Sequence, residues 1–189
     1  MARPLRIVGY AIVSSDGMLA DSAGHMPDAL KIDADQRFFA AGLDTVDAVV
    51  HGRHSDENQP SSPRRRRLIL TRKIAAIAPD PDNPMARLWN PAGAPFAAAC
   101  HALGVDAGTV AIIGGTAAFG LFLDIGYDAF HLSHANKVRL PGGRPVFPQV
   151  PARTPEDVLA SHGLVPGPRQ VLDAQADATL VTWTRKTPP

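Results

Sequence analysis

The stretch AVVHGRHS, Ala48 to Ser55, runs three apolar residues into His51 and then hands over to Gly52, Arg53, His54 and Ser55. A glycine at a strand end lets backbone close on a ligand. The arginine fork, histidine and hydroxyl behind it offer charge-assisted donors to a phosphate. A helical turn opening near Ser55 would add backbone N–H groups to that anion site. A solvated polar loop uses the same residue types, and the stretch alone leaves both readings open. A second stretch, TVAIIGGTAAFGLFL (Thr109 to Leu123), sends a buried strand into Gly114-Gly115 and an apolar helix that starts at Thr116. Paired glycines free backbone amides to face a diphosphate, or simply allow tight strand-to-helix packing. The lysine and the glycine spacing of a P-loop are missing. Thr71 and Arg72, which close the run LILTR, are placed to meet a further phosphate.

Other residues of chemical type carry less. His131 and His134 have the look of a metal pair, but residues three apart on a strand point to opposite faces and cannot share an ion. With a single cysteine, Cys100, neither a disulfide nor a multi-cysteine metal site exists, and no metal is expected. Cys100 itself reads as buried in a helix and inert. Arg64 to Arg67 has the charge of a nucleic-acid patch without interleaved aromatics, and a solvated strand start is expected. Trp89 and Trp183 read as packing residues.

An alternation of strands and helices must position these groups. Ile7 to Val13 is a buried strand that stops at the turn Asp16-Gly17. Asp33, with Gln36 three residues on, has the form of a capping box for a helix that carries Phe38 and Phe39 and ends at Gly42. Strands follow at Asp47 to Val50 and Arg67 to Thr71, with Asp56 to Pro63 a surface loop between them. Ala78 to Pro95 holds Pro79, Pro81, Pro84, Pro91 and Pro95, which predicts a long irregular connection. Phe96 to Leu103 is a helix, Thr109 to Ile113 a strand, Thr116 to Leu123 a helix and Tyr127 to Ser133 a strand. A turn at Pro141-Gly142-Gly143 precedes a helix over Pro155 to His162. Strands near Gln170 to Asp173 and Thr179 to Thr184 close the chain.

This order predicts an α/β protein, a mostly parallel central sheet with helices on both faces and a C-terminal antiparallel hairpin on its edge. Ligands of such sheets sit beyond the carboxyl ends of the strands, where Gly52 and Gly114-Gly115 both lie. No repeat or boundary interrupts residues 1–189, which read as one domain. Of the 189 residues 45% are hydrophobic and 20% charged, as in a folded soluble protein, and the net charge of +1 draws it to neither nucleic acid nor membrane. The apolar run Ile7 to Val13 is too short for a signal peptide or a span. A soluble, cytoplasmic protein is expected.

In their order along the chain these motifs resemble the dihydrofolate reductase-like superfamily, including the reductase domain of the riboflavin-pathway deaminase/reductases. AIVSSDGMLA is similar to the family's first strand and the start of its mobile loop. GRHS is similar to the Gly-Arg-His-Thr that holds NADPH phosphates, and LILTR to the strand whose end flanks the adenosine 2′-phosphate. AIIGGTAAFGLFL resembles the strand–helix unit under the cofactor diphosphate. DAFHLSHA with PGGRPVFP resembles the next strand and the glycine-then-Phe-Pro turn. The resemblance spans about Arg6 to Pro148.

What it implies is NADPH bound by Ala11, Gly17, Ala20, Gly52, Arg53, His54, Ser55, Thr71, Arg72, Ile113, Gly114, Gly115, Thr116 and Ala117. It implies a cis peptide at Gly114-Gly115, or a positive φ at one of them. On the substrate side a carboxylate early in the first helix would hold the ring. Counting from His25-Met26-Pro27 favours Asp33, and counting back from GRHS favours Asp35 or Gln36. The family's tryptophan position falls on Asp28, and Asp33 is also read as an N-cap. Ser133 lies where folate reductases carry a substrate-facing threonine. The implied activity is hydride transfer from NADPH to a pterin- or pyrimidine-like ring, by a homodimer. The alternative is a non-catalytic nucleotide-binding module that kept the cofactor site and lost the substrate pocket.

Overall fold

A computed structural model describes residues 5–55 and 58–186. β-Branched and aliphatic runs make the central strands: β1 (Leu5–Ser14), β3 (Ala48–Gly52), β4 (Arg67–Leu70), β7 (Gly108–Gly114) and β8 (Ala129–Ala135). Shorter strands are β2 (Met18–Ala20), β5 (Ile77–Pro79), β6 (Ala86–Trp89) and β9 (Arg144–Pro145). The chain ends in the hairpin β10 (Leu164–Asp173) and β11 (Ala178–Arg185). The helices are α1 (Asp33–Leu43), α2 (Phe96–Ala102), α3 (Thr116–Ile125) and α4 (Pro155–Ser161).

Nine strands form one sheet in the order β10-β11-β8-β1-β7-β3-β4-β6-β5, and β2 pairs with β9 separately. The interior pairs are parallel, while β5 on β6, β10 on β11 and β11 on β8 are antiparallel. On one face, α2, α3 and α4 bury Cys100, Phe119, Phe122, Val158 and Leu159 against Val50, Leu68, Trp89 and Phe130. On the other, α1 packs Leu43 and Phe39 over Val49, Ala111 and Tyr10. The expected parallel sheet, covered on both faces and closed by a hairpin, is what forms.

Three expectations are corrected. Ala78 to Pro95 is not wholly irregular: β5 and β6 lie in and beside it and extend the sheet. Pro79 sits on the outermost strand, where a missing N–H costs nothing, and Pro84 lies in the turn. Asp33 is the first helical residue, not the cap. Ile32 caps α1 with no side-chain hydrogen bond, and the amide of Gln36 donates to Ile32 O.

Arg64 to Arg67 is a solvated strand start only in part: Arg64 and Arg66 are exposed, but the other two arginines are not. Arg65 is buried and its Nη2 is 2.6 Å from Asp44 Oδ1. Arg67 is buried too, donating to Ser62 O and Oγ and lying 3.1 Å from His51 Nε2. Of the surface loop read at Asp56 to Pro63, residues 56 and 57 lie outside the described residues, and Ser62–Arg64 is a short 3-10 turn.

Candidate functional site

β3 and β7 end side by side, with His51 aligned to Gly114, and the register slips past Ile113 as it reaches them. Gly114-Gly115 is a cis peptide and Gly114 has φ +128°. A Cβ on Gly115 would stand 2.9 Å from Ser55 Oγ, and one on Gly52 would stand 3.8 Å from the Gly115 amide nitrogen. The two strand ends therefore face each other as bare backbone. Above them opens a cleft of about 1350 Å³ that runs from the end of β4 to the sheet under α1.

One half of the cleft is built from strand ends. Gly52, Arg53, His54 and Ser55 leave β3, and the Ser55 amide closes a turn on Gly52 O. Thr71 and Arg72 leave β4, and Thr71 Oγ1 accepts the Lys73 amide at 3.2 Å, which folds that end back. Ile113, Gly114, Gly115, Thr116 and Ala117 form the opposite wall. Thr116 Oγ1 donates to Pro145 O, tying the start of α3 to β9. Ala11 and Ala20 line the floor and the flap made by β2 and β9.

The other half is closed by α1. Asp35 is 6% exposed and Ser133 2%, and the Ser133 hydroxyl lies beside the carboxyl. Burial pushes the Asp35 carboxyl up to about 6, with the Ser133 hydroxyl opposing the shift. Around them stand Tyr10, Phe38, Phe39 and His131. The His131 ring lies 4.7 Å from that of Tyr10 and meets Phe38 edge-on at 5.2 Å. Burial, and then the charge of Arg6, hold the imidazole down at about 4, so it is neutral and shares a hydrogen bond with Thr182 Oγ1.

No family profile matches the sequence, and no curated protein matches it. Solved structures do. A candidate riboflavin-biosynthesis protein from Shewanella sp. PV-4 matches over 99% of this chain and all of its own, with a TM-score of 0.67 at 21% identity. Dihydrofolate reductase from Enterococcus faecalis, complexed with NADP(H), matches over 99% and 100% with a TM-score of 0.66 at 15% identity. The chain has the dihydrofolate reductase fold. The same fold forms part of the Thermotoga maritima deaminase/uracil reductase, of which this chain covers 57%, with a TM-score of 0.64 at 15% identity.

Within that fold the sequence-predicted residues gather with two exceptions. Asp33 is exposed on the first turn of α1 and is not part of the cleft wall; of the two carboxylates, Asp35 is. Positions two apart on a helix differ by about 200°, so only one of them can face inward. Gly17 is absent from the wall too. It holds the β1–β2 turn at φ +83°, where a Cβ would press on Val150 and Pro155. Asp28 is exposed beside Lys31, 2.7 Å from its ammonium.

Sequence reasoning missed Tyr10, Phe38 and Phe39 as wall residues, and it dismissed His131 once the metal reading failed. It also missed Lys31, Lys73 and Arg144, which join Arg53, His54 and Arg72 around the cleft; among the described residues that line it, Asp35 carries the one carboxyl. Tyr10 and Ile12 alternate on one face of β1, and their neighbours across β8 are His131 and Ser133. That period-two match was visible in the sequence, but the pairing of β1 with β8 was not.

Proposed function

We propose that this protein is an NADPH-dependent reductase that delivers a hydride to a pterin- or pyrimidine-like heteroaromatic ring. The observation that carries the proposal is Asp35: a buried carboxyl with its pKa pushed up to about 6, at the closed end of a cleft whose open end is basic and glycine-lined. A group poised near neutrality is suited to hold and give a proton.

The residues present fit the dinucleotide. Bare backbone at Gly52, Gly114 and Gly115 leaves room for a diphosphate, Arg53 and Arg72 supply cations for the ribose phosphate, and His54 adds a ring N–H donor. NADPH, when bound, supplies the hydride. Reducing a C=N, in a pteridine ring or in the imine form of a sugar amine carried by a pyrimidine, also takes one proton at nitrogen, and the Asp35 carboxyl holds it. Ser133, buried beside that carboxyl, is placed to orient it. Phe38 and Phe39 offer flat apolar walls to a flat ring and keep water off it.

The likeness to a candidate riboflavin-biosynthesis protein and to a uracil reductase is the support for trying an aminouracil first. On this reading the enzyme works as a homodimer in the cytoplasm. The test follows NADPH oxidation with aminouracil, pteridine and quinone-like substrates. Turnover with one of them, falling about 100-fold or more in Asp35→Asn at unchanged NADPH affinity, is the expected result. NADPH binding without oxidation by any ring would instead support a non-catalytic nucleotide-binding module.

A further inference from the structure

His131 is a half-buried histidine of the cleft wall to which hydride and proton delivery give no task. It stands on β8 opposite Tyr10 of β1, and two residues on, Ser133 stands opposite Ile12. Residues two apart on a strand share a face and lie roughly 7 Å apart. His131 and Ser133 therefore both look toward α1, and the Asp35 carboxyl lies beside Ser133.

Three neighbours fix the ring. Nδ1 lies 2.9 Å from Thr182 Oγ1 on β11. Tyr10 lies along it at 4.7 Å, tilted by 33°, and Phe38 meets it edge-on at 5.2 Å. The tip nitrogen, Nε2, has no hydrogen-bond partner among the described residues, and it is not closed off from solvent. A ring held for packing alone needs no nitrogen there. One anchored behind and open in front is arranged to meet a ligand atom. Burial and Arg6 keep the imidazole neutral, so Nε2 offers either an N–H or a lone pair, according to how Thr182 bonds Nδ1.

We propose that His131 Nε2 hydrogen-bonds an exocyclic oxygen or nitrogen of the ring substrate and so selects which rings the cleft accepts. The inference rests on the reductase reading of this site and adds the residue that reads the substrate's far edge. Asp35 and His131 act from two points of one sheet face, a span that a six-membered heterocycle with an exocyclic group bridges. The Asp35 end serves the nitrogen that takes the proton. The His131 end meets a group whose bonds do not change. Such a contact is equally good before and during hydride transfer, so it acts on binding and not on the chemical step. It discriminates because a ring with hydrogen at that place leaves Nε2 without a partner.

The probes are pterin and 6-aminouracil, each beside analogues with hydrogen in place of one exocyclic oxygen or amino group. Calorimetry measures their binding to the full chain with saturating NADP+, so that nothing turns over. In the wild type, loss of one particular group is expected to weaken binding about tenfold, the worth of one hydrogen bond. His131→Phe keeps the contacts with Tyr10 and Phe38. It should bind the parent ring about tenfold more weakly and no longer distinguish it from that analogue. Two further variants separate the tip of the ring from its anchor. His131→Asn keeps a polar atom near Nδ1 for Thr182 but none at the tip, and should lose the preference. His131→Gln carries an amide to the tip and should keep much of it. A packing role moves neither variant in that order. With a ring that turns over, KM for that ring should rise about tenfold in His131→Phe while kcat stays within about twofold.

Analogues that all bind as the parent does, or a preference that survives in His131→Phe and His131→Asn, overturn this role and leave the reductase reading standing. The expected coupling in binding, with no NADPH oxidised by any ring, upholds the contact and overturns the reductase reading. A wild type that binds none of the rings overturns both.

Discussion

Asp33 and Asp35 sit two residues apart and face different solvents, one water and the other protein. The sequence offered both as the ring-binding carboxylate because the phase of a helix is fixed only by where it starts. Once Ile32 is the cap, Asp35 turns inward. Its pKa of about 6 has a consequence for stability. Between roughly pH 4 and 6 the folded protein keeps a proton that the unfolded chain, with an ordinary carboxyl near 3.9, has released. Stability therefore falls as pH rises through that window, by ~3 kcal/mol in all. Asp35→Asn lacks this loss and should melt higher than wild type at pH 7.5, with the two converging near pH 4. Parallel melting curves across pH 4 to 8 would mean that the carboxyl is not desolvated. Arg53 carries a separate expectation. NADPH exceeds NADH by one ribose phosphate, and a charge-assisted contact to it contributes ~1.5–3 kcal/mol. Arg53→Ala should weaken NADPH by about one to two orders of magnitude and leave NADH nearly untouched. Fluorescence titration of both cofactors checks it, and equal weakening of the two would remove Arg53 from the 2′-phosphate site.

At the scale of elements, the strands and helices that read clearly are those whose pattern is local. Val110, Ala111 and Ile112 are fully buried, as a continuous apolar run in a covered parallel strand should be. What stayed hidden depends on partners far along the chain. Ala86 to Trp89 has little to mark it among prolines, and it becomes a strand because Arg67 to Leu70 lies beside it in register. Arg65 looks solvated until Asp44 arrives from the end of α1. Thr154, by contrast, caps α4 and accepts the Asp157 amide, a bond between near neighbours that sequence can suggest. Gly9 shows how tightly the central pair is fitted. A Cβ there would fall 2.2 Å from Phe130 Cδ2 on the neighbouring β8, and that ring is fully buried among Phe119, Tyr127 and Phe147. Gly9→Ala is expected to destabilise the fold by roughly 2–3 kcal/mol, since an overfilled core must shift. Urea unfolding measures it. A change below about 0.5 kcal/mol would show that the ring can move aside at little cost.

For the whole molecule, net charge hides what matters. The chain carries only +1, yet among the described residues its cleft gathers Arg53, Arg72, Lys73 and Arg144, together with a Lys31 that is paired to Asp28, around the buried carboxyl of Asp35. Among the described residues several acids are engaged away from it: Asp44 on Arg65, Asp106 on His101, Glu156 on His134 and Asp128 near Arg185. A cleft lined by one sign of charge with low-dielectric walls concentrates field and draws in a polyanion even when the protein as a whole is nearly neutral. Composition could not reveal this, because it counts charges without placing them. The field reaches as far as salt allows, about 30 Å at 0.01 M and about 8 Å at 0.15 M. Contacts at bonding distance survive that change, whereas attraction from the more distant cations does not. NADPH affinity should therefore fall about tenfold between those ionic strengths, with most of the loss in the association rate. NADH carries about two fewer negative charges and should lose less. Lys73→Ala and Arg144→Ala each remove a cation from the cleft wall and should flatten the salt dependence of NADPH binding. Stopped-flow measurement of both cofactors across this range decides the point. If NADPH and NADH respond alike to salt, or if the two variants leave the slope unchanged, the basic lining does not act as a field, and only the residues in direct contact with the cofactor matter.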